Sequence, residues 1–114
     1  MNIKTFGYYR SERVYWTDNH MGIESSGWYR DMVCFNEDGE VLVTVKHKSD
    51  FLTLKDLDDP YYNRRKGKYK FFDDDIIEFI RIGVRARQNK IRIKIVDEDT
   101  IIYEGRELKH CLFD

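Results

Sequence analysis

From Gly67 to Phe113 the chain repeats one phrase: a short run of alternating apolar and polar residues, a tight acidic or glycine-bearing turn, and another such run. Gly67-Lys-Tyr-Lys-Phe-Phe72 leads into Asp73-Asp74-Asp75, and Lys90-Ile-Arg-Ile-Lys-Ile-Val96 leads into Asp97-Glu98-Asp99. Glu104-Gly105 divides the last pair of runs. Alternation at period two sets one face of each run against an apolar interior and the other in water. Turns this short join antiparallel neighbours. The pattern predicts an all-β chain, an antiparallel meander closed or nearly closed into a barrel.

The earlier half reads less regularly. Strands are expected near residues 5–10 and 13–17, followed by a Gly/Ser-containing loop over 18–27. Residues 28–36 and 40–47 form the clearest hairpin, joined by Asn36-Glu-Asp-Gly39, because Asp-Gly supplies the positive φ of a tight turn. Tyr29, Val33 and Phe35 share one parity, as do Val41, Val43 and Val45. Phe51, Leu54 and Leu57, spaced by three behind Ser49 or Asp50, predict one short helix near residues 49–57. Residues 58–66 read as a solvated loop, and residues 83–89 as a basic hairpin connection. The expected core includes Phe35, Val43, Tyr69, Phe71, Ile93 and Ile95. One strand misfits: Ile76, Glu78, Ile80 and Ile82 oppose Ile77, Phe79 and Arg81, so a charge falls at or near the interior on either choice. The alternation itself leaves open which of the two faces is buried.

At 114 residues the chain makes a single domain, 1–114, large enough for one core. Twenty basic and 21 acidic side chains leave a net charge of −1, which argues against nucleic acid as a partner. The basic stretch 63–70 with Tyr61, Tyr62 and Tyr69 has the composition of a single-strand groove, but Lys68 and Lys70 alternate as on any exposed strand. No apolar run is long enough to span a membrane. Cys34 and Cys111 read as free thiols and the location as cytoplasmic, although a chain trimmed of a signal peptide would read the same.

Catalytic and metal chemistry find no pattern. The sequence contains no G-x-S-x-G, glycine-rich phosphate loop, H-E-x-x-H or C-x-x-C. His20, His47 and His110 lie far apart, and the acidic triplets fit turn chemistry better than a calcium loop. The expectation is therefore no enzyme, no metal and no cofactor. Aromatic residues make up 15% of the chain and crowd its first quarter. Tyr and Trp, with apolar bodies and polar tips, suit a barrel mouth that receives a small, partly apolar ligand. Candidate ligand-binding residues are Tyr9, Trp28, Tyr29, Tyr69 and Tyr103, with Arg81 offering a fork for a carboxylate.

The order of Gly7-Tyr-Tyr, Phe35-Asn-Glu-Asp-Gly39, Lys66-Gly-Lys-Tyr69 and Tyr103-Glu-Gly105 resembles small bacterial lipocalin-like proteins across most of the chain. The resemblance implies a lipocalin-like barrel and a bacterial source, and offers no shared catalytic residues. It also implies that Ile77 and Phe79 face inward, which sets Arg81 on the interior side near a barrel end, with Asp31 or Glu104 as a candidate partner. Its motifs are turn and packing signals. The leading expectation is a non-enzymatic binding module for a small amphipathic ligand. The alternative is a protein-interaction module of the immunity or inhibitor type, binding through a charged or aromatic surface.

Overall fold

The computed structural model describes residues 2–63, 66–81 and 91–113, Arg81 by its backbone alone. Among the described residues nine strands occur in chain order: β1 Tyr8–Ser11, β2 Val14–His20, β3 Ile23–Phe35, β4 Glu40–His47, β5 Lys66–Asp73, β6 Ile76–Arg81, β7 Ile91–Asp97, β8 Thr100–Tyr103 and β9 Arg106–Cys111. Each strand from β3 to β9 pairs antiparallel with the next, β9 pairs with β1, and β1 returns to β3 through Tyr9–Val33 and Arg10–Met32. Eight strands thus close into an antiparallel barrel, and β2 hangs from β3 outside the ring.

The interior follows from strand parity. Tyr9, Val33, Phe35, Val41, Val43, Ile77, Phe79, Ile93, Ile95, Ile101, Tyr103 and Leu108 form one buried cluster, so the barrel is filled by its own side chains. Gly67 is required by that filling, since a Cβ there would collide with the Phe79 ring and the Ile80 carbonyl. The acidic triplets serve as turns. The Asp73 carboxylate accepts the Asp74 N–H, and the Asp97 carboxylate accepts the Asp99 N–H. At the Asn36 turn the side-chain carbonyl accepts from the N–H groups of Asp38 and Glu40.

A second apolar cluster lies on the outer wall, where Tyr8, Met32, Leu42 and Leu52 pack with Leu57, Tyr62 and Phe113. Helix α1, Leu54–Leu57, starts within the expected region but is capped by Thr53: its hydroxyl accepts the Asp56 N–H while the Asp56 carboxylate accepts the Thr53 N–H. Helix α2, Pro60–Asn63, occupies part of the stretch expected to be loop; proline suits a first helical turn, where its missing N–H has no partner to lose.

Three further sequence expectations are corrected. Residues 18–27 are not a loop, because β2 and β3 stay in register from Val14–Tyr29 out to His20–Ile23. Phe71 has inward parity but is 51% exposed, since the β5/β6 hairpin outruns the wall at its tip, where the register also shifts between Phe71 and Asp73. Tyr69 is only half-buried. The misfit strand resolves with Ile77 and Phe79 inward, both 0% exposed. Glu78 faces outward yet is 2% exposed, with its register neighbours Lys70 and Arg92 at 3.6 and 3.8 Å. Arg92 in turn sits 3.9 Å above the Phe72 ring. The Arg81 side chain and residues 82–90, including the expected basic connection, lie outside the described residues.

Candidate functional site

The strand pair β2/β3 extends past the barrel rim as an arm. Tyr29 is the last β3 residue to pair with β4, and the Lys48 N–H still reaches the Trp28 carbonyl. Six further residue pairs, Tyr15–Trp28 to His20–Ile23, have no other strand beside them among the described residues. At about 3.3 Å per residue the arm projects roughly 20 Å. Its tip turns at Met21 and Gly22, both with positive φ. One face carries Val14, Trp16, His20, Ile23 and Gly27 and continues the barrel's inner face; the other carries Tyr15, Thr17 and Trp28. Trp16 lies across Gly27, where a Cβ would stand 2.9 Å from the indole. Met21 is 88% exposed, Ile23 71% and Tyr15 70%.

The arm is anchored by a cluster of charges at its root. The Arg13 guanidinium donates two hydrogen bonds to the Asp50 carboxylate, at 3.0 and 2.7 Å, and Arg30 donates a third at 2.8 Å. Arg10 donates to the Asp50 carbonyl and lies over the Phe51 ring. Arg13 also stacks 4.1 Å above Trp28. The Arg13 and Arg30 guanidiniums hold the Asp50 carboxyl down to about 2. Where β1 becomes β2, buried Ser11 accepts the Asp31 N–H at 2.9 Å and donates to the Glu12 carbonyl at 2.7 Å.

Two open grooves flank this root. The first, of about 880 Å³, lies between residues 11–15 and Arg106, Glu107, Lys109 and His110 of β9. The second, of about 390 Å³, is the barrel mouth, lined by Tyr29, Asp31, Val45, His47, Tyr103 and Arg106. There Arg106 donates to the buried Asp31 carboxylate at 2.9 Å. Asp31, one of two candidate partners named for Arg81, binds Arg106; the Arg81 side chain lies outside the described residues.

Of the residues expected to bind a ligand, the mouth brings together Tyr29 and Tyr103. Tyr9 is core: its hydroxyl donates to the Glu98 carbonyl at 2.6 Å and accepts the Lys4 N–H at 2.9 Å, and burial pushes its pKa up. Tyr69 lies toward the opposite end, packed on Phe35 and donating to the Asn36 carbonyl at 3.0 Å. Trp28 sits on the arm's outer face beneath Arg13, and Arg81 is described only as the backbone partner of Gly67. Sequence reasoning named Asp31 only as a candidate partner for Arg81 and missed its place at the mouth, although it shares the parity of Tyr29 and Val33. It also missed Arg106, whose partner lies 75 residues away.

Cys34 and Cys111 are free thiols. Cys34 donates to the Gly7 carbonyl at 3.3 Å, and burial pushes it up to about 11. Among the described residues no three His, Cys, Asp or Glu side chains gather as a metal site, and no helix is long and apolar enough to cross a membrane. No family model matches the chain, and neither does any curated protein or solved structure.

Proposed function

We propose that this protein is a non-enzymatic interaction module that engages another protein through the β2/β3 arm. The observation that carries the reading is the arm itself: a two-stranded ribbon exposing Tyr15, Met21 and Ile23, with no strand beside its outer edge among the described residues. A ribbon of two strands is marginal in water by itself, and exposed apolar side chains on such an element favour a binding role. The non-enzymatic part draws support from the nucleophiles. The Cys34 thiol is pushed up rather than down, and the Ser11 hydroxyl is engaged by backbone on both sides. A lipocalin-like relationship and a bacterial, cytoplasmic setting belong to the same proposal, supported by the closed barrel, the motif order and the two free thiols.

The barrel mouth favours a second reading, a small amphipathic ligand held by Tyr29 and Tyr103 beside the Asp31–Arg106 pair. The filled interior leaves that ligand only an open groove, which makes it the weaker of the two.

One variant separates the readings. Replacing residues 16–27 by Asn-Gly leaves Tyr15 and Trp28 joined by a two-residue turn and removes the arm. Affinity capture from cells of the source organism, with native mass spectrometry of the purified protein, is run on both forms. The interaction reading expects a protein recovered by the full chain and lost by the trimmed one. Equal recovery by both forms, or a small molecule retained equally by both, refutes it.

A further inference from the structure

β1 and β9 run paired to Ser11–Leu108, and there they part. Past Glu12 and Arg13 the chain follows β3 outward as β2, whereas the start of β9 stays with β8 through Tyr103–Arg106 and Ile102–Glu107. The first groove is the wedge this divergence opens, and one of its walls is the free edge of β2. In an antiparallel pair alternate residues direct N–H and C=O away from the partner strand, so about half of the seven residues of β2 present backbone donors and acceptors along the free edge, which starts at the groove with Val14 and Tyr15.

The side chains around this edge are biased in charge. Arg10, Arg13, Arg30, Arg106 and Lys109 line the groove against Glu12 and Glu107. Asp50 is more buried than Arg13 and Asp31 more buried than Arg106, so these two guanidiniums stand outermost of their pairs, whereas Arg30 is the more buried partner of Asp50. Lys109 pairs with Glu107 at 2.7 Å, and with Glu12, Asp31 and Asp50 also counted the five cations keep a small local excess of positive charge beside an edge with no strand next to it among the described residues.

Resting on the reading of the arm as the interaction surface, we propose that the outer edge of β2 receives an extended acidic segment of the partner protein. The segment adds as a strand and directs its carboxylates at Arg13, Arg106 and Lys109. Main-chain hydrogen bonds along the edge supply affinity, and the cationic wall selects for acidic side chains. A polypeptide fits this edge better than a phosphate backbone, because the edge offers carbonyl acceptors as well as N–H donors, and phosphodiesters accept only.

The test uses the full chain, isotope-labelled, and NMR titration with four probes: the peptide Glu-Thr-Glu-Val-Glu-Thr-Glu, its counterpart with Lys for Glu, the acidic peptide N-methylated at alternate amides, and an oligothymidine of eight nucleotides. The acidic peptide is expected to shift amides within 14–20 and 106–111 saturably. Its affinity should exceed that of the other three at least tenfold and fall as salt rises. Lys109→Glu, at an exposed side chain, is expected to weaken it about two- to fivefold. Equal binding of the acidic and lysine peptides, undiminished binding after N-methylation, tighter binding of the oligothymidine, shifts outside these segments, or no shift at millimolar peptide each overturns the acidic-strand proposal. The broader reading fails separately: a captured protein partner that binds the arm-trimmed chain equally well refutes both, whereas one lost on trimming while the acidic peptide fails refutes only the strand proposal.

Discussion

Phe71 and Phe79 share inward parity on paired strands, and the structure gives them different weights. Phe79 is 0% exposed and packs against the backbone at Gly67, whereas Phe71 is 51% exposed beyond the core. Phe79→Ala removes a fully buried ring and leaves a void inside a closed barrel, for a loss of about 3–5 kcal/mol. Burying a whole Phe side chain contributes roughly 1.5–3 kcal/mol, so half of one contributes about 1 kcal/mol, and at the rim the space left by Phe71→Ala opens to water. With an unfolding entropy of about 2.1 cal/mol/K per residue, a chain this long loses about 4 °C of Tm per kcal/mol. Phe79→Ala should therefore lower Tm by roughly 12–20 °C and Phe71→Ala by about 4 °C. Urea melts of the two variants, with unchanged m-values, provide the measurement. A Phe71→Ala loss equal to that of Phe79→Ala would show that the rim ring is buried in solution and that its assignment outside the core is wrong.

Gly67→Ala should destabilise by about 1–3 kcal/mol as its Cβ displaces the Phe79 ring; an unchanged urea midpoint refutes the packing argument. The Asp50 carboxyl should titrate by NMR near 2 instead of its ordinary 3.8. Its folded value is depressed, so it contributes stability above pH 4 that is lost as pH falls toward 2; an ordinary midpoint would mean that Arg13 and Arg30 do not hold it. Cys34 runs the other way. Between its ordinary 9.0 and about 11 the unfolded chain releases a proton that the folded chain retains, so stability falls across that window, and the Cys34→Ser variant should lack this slope. The arm-trimmed variant should melt within a few degrees of the full chain, because the arm adds no residue to either buried cluster; a collapse in Tm would make the arm a structural element.

What the sequence disclosed was parity and turns, and what it withheld was position along the barrel axis. Ile93 and Ile95 were legible because Arg92 and Lys94 alternate with them, and the Asn36–Gly39 turn because Asp-Gly has few other uses. Phe71 had the right face and the wrong height, since alternation does not say where a wall ends. The arm was hidden by Gly22, Ser25, Ser26 and Gly27, a loop-like composition that its pairing with β2 overrides. The Asp31–Arg106 pair needed two residues far apart in sequence, and only closure of the ring brings them together. Of the expected site residues, Tyr29 and Tyr103 meet at the mouth, while Tyr9 and Tyr69 are drawn into core packing instead.

The placement of β9 between β8 and β1 has a consequence for biosynthesis. Every other neighbour in the ring except the β1–β3 seam is sequential and can form a hairpin as it leaves the ribosome, but the longer β1 seam, with β9, must wait for residues 106–111. Until then the nascent sheet is an open ribbon, with the apolar inner side chains of β8 facing water. Joining strands about 100 residues apart also costs loop-closure entropy that local pairings avoid. Folding of this barrel is thus completed only after its last strand is made. A ribosome-stalled chain ending before residue 106 should be protease-sensitive across β1, where one extended through β9 and clear of the exit tunnel is resistant.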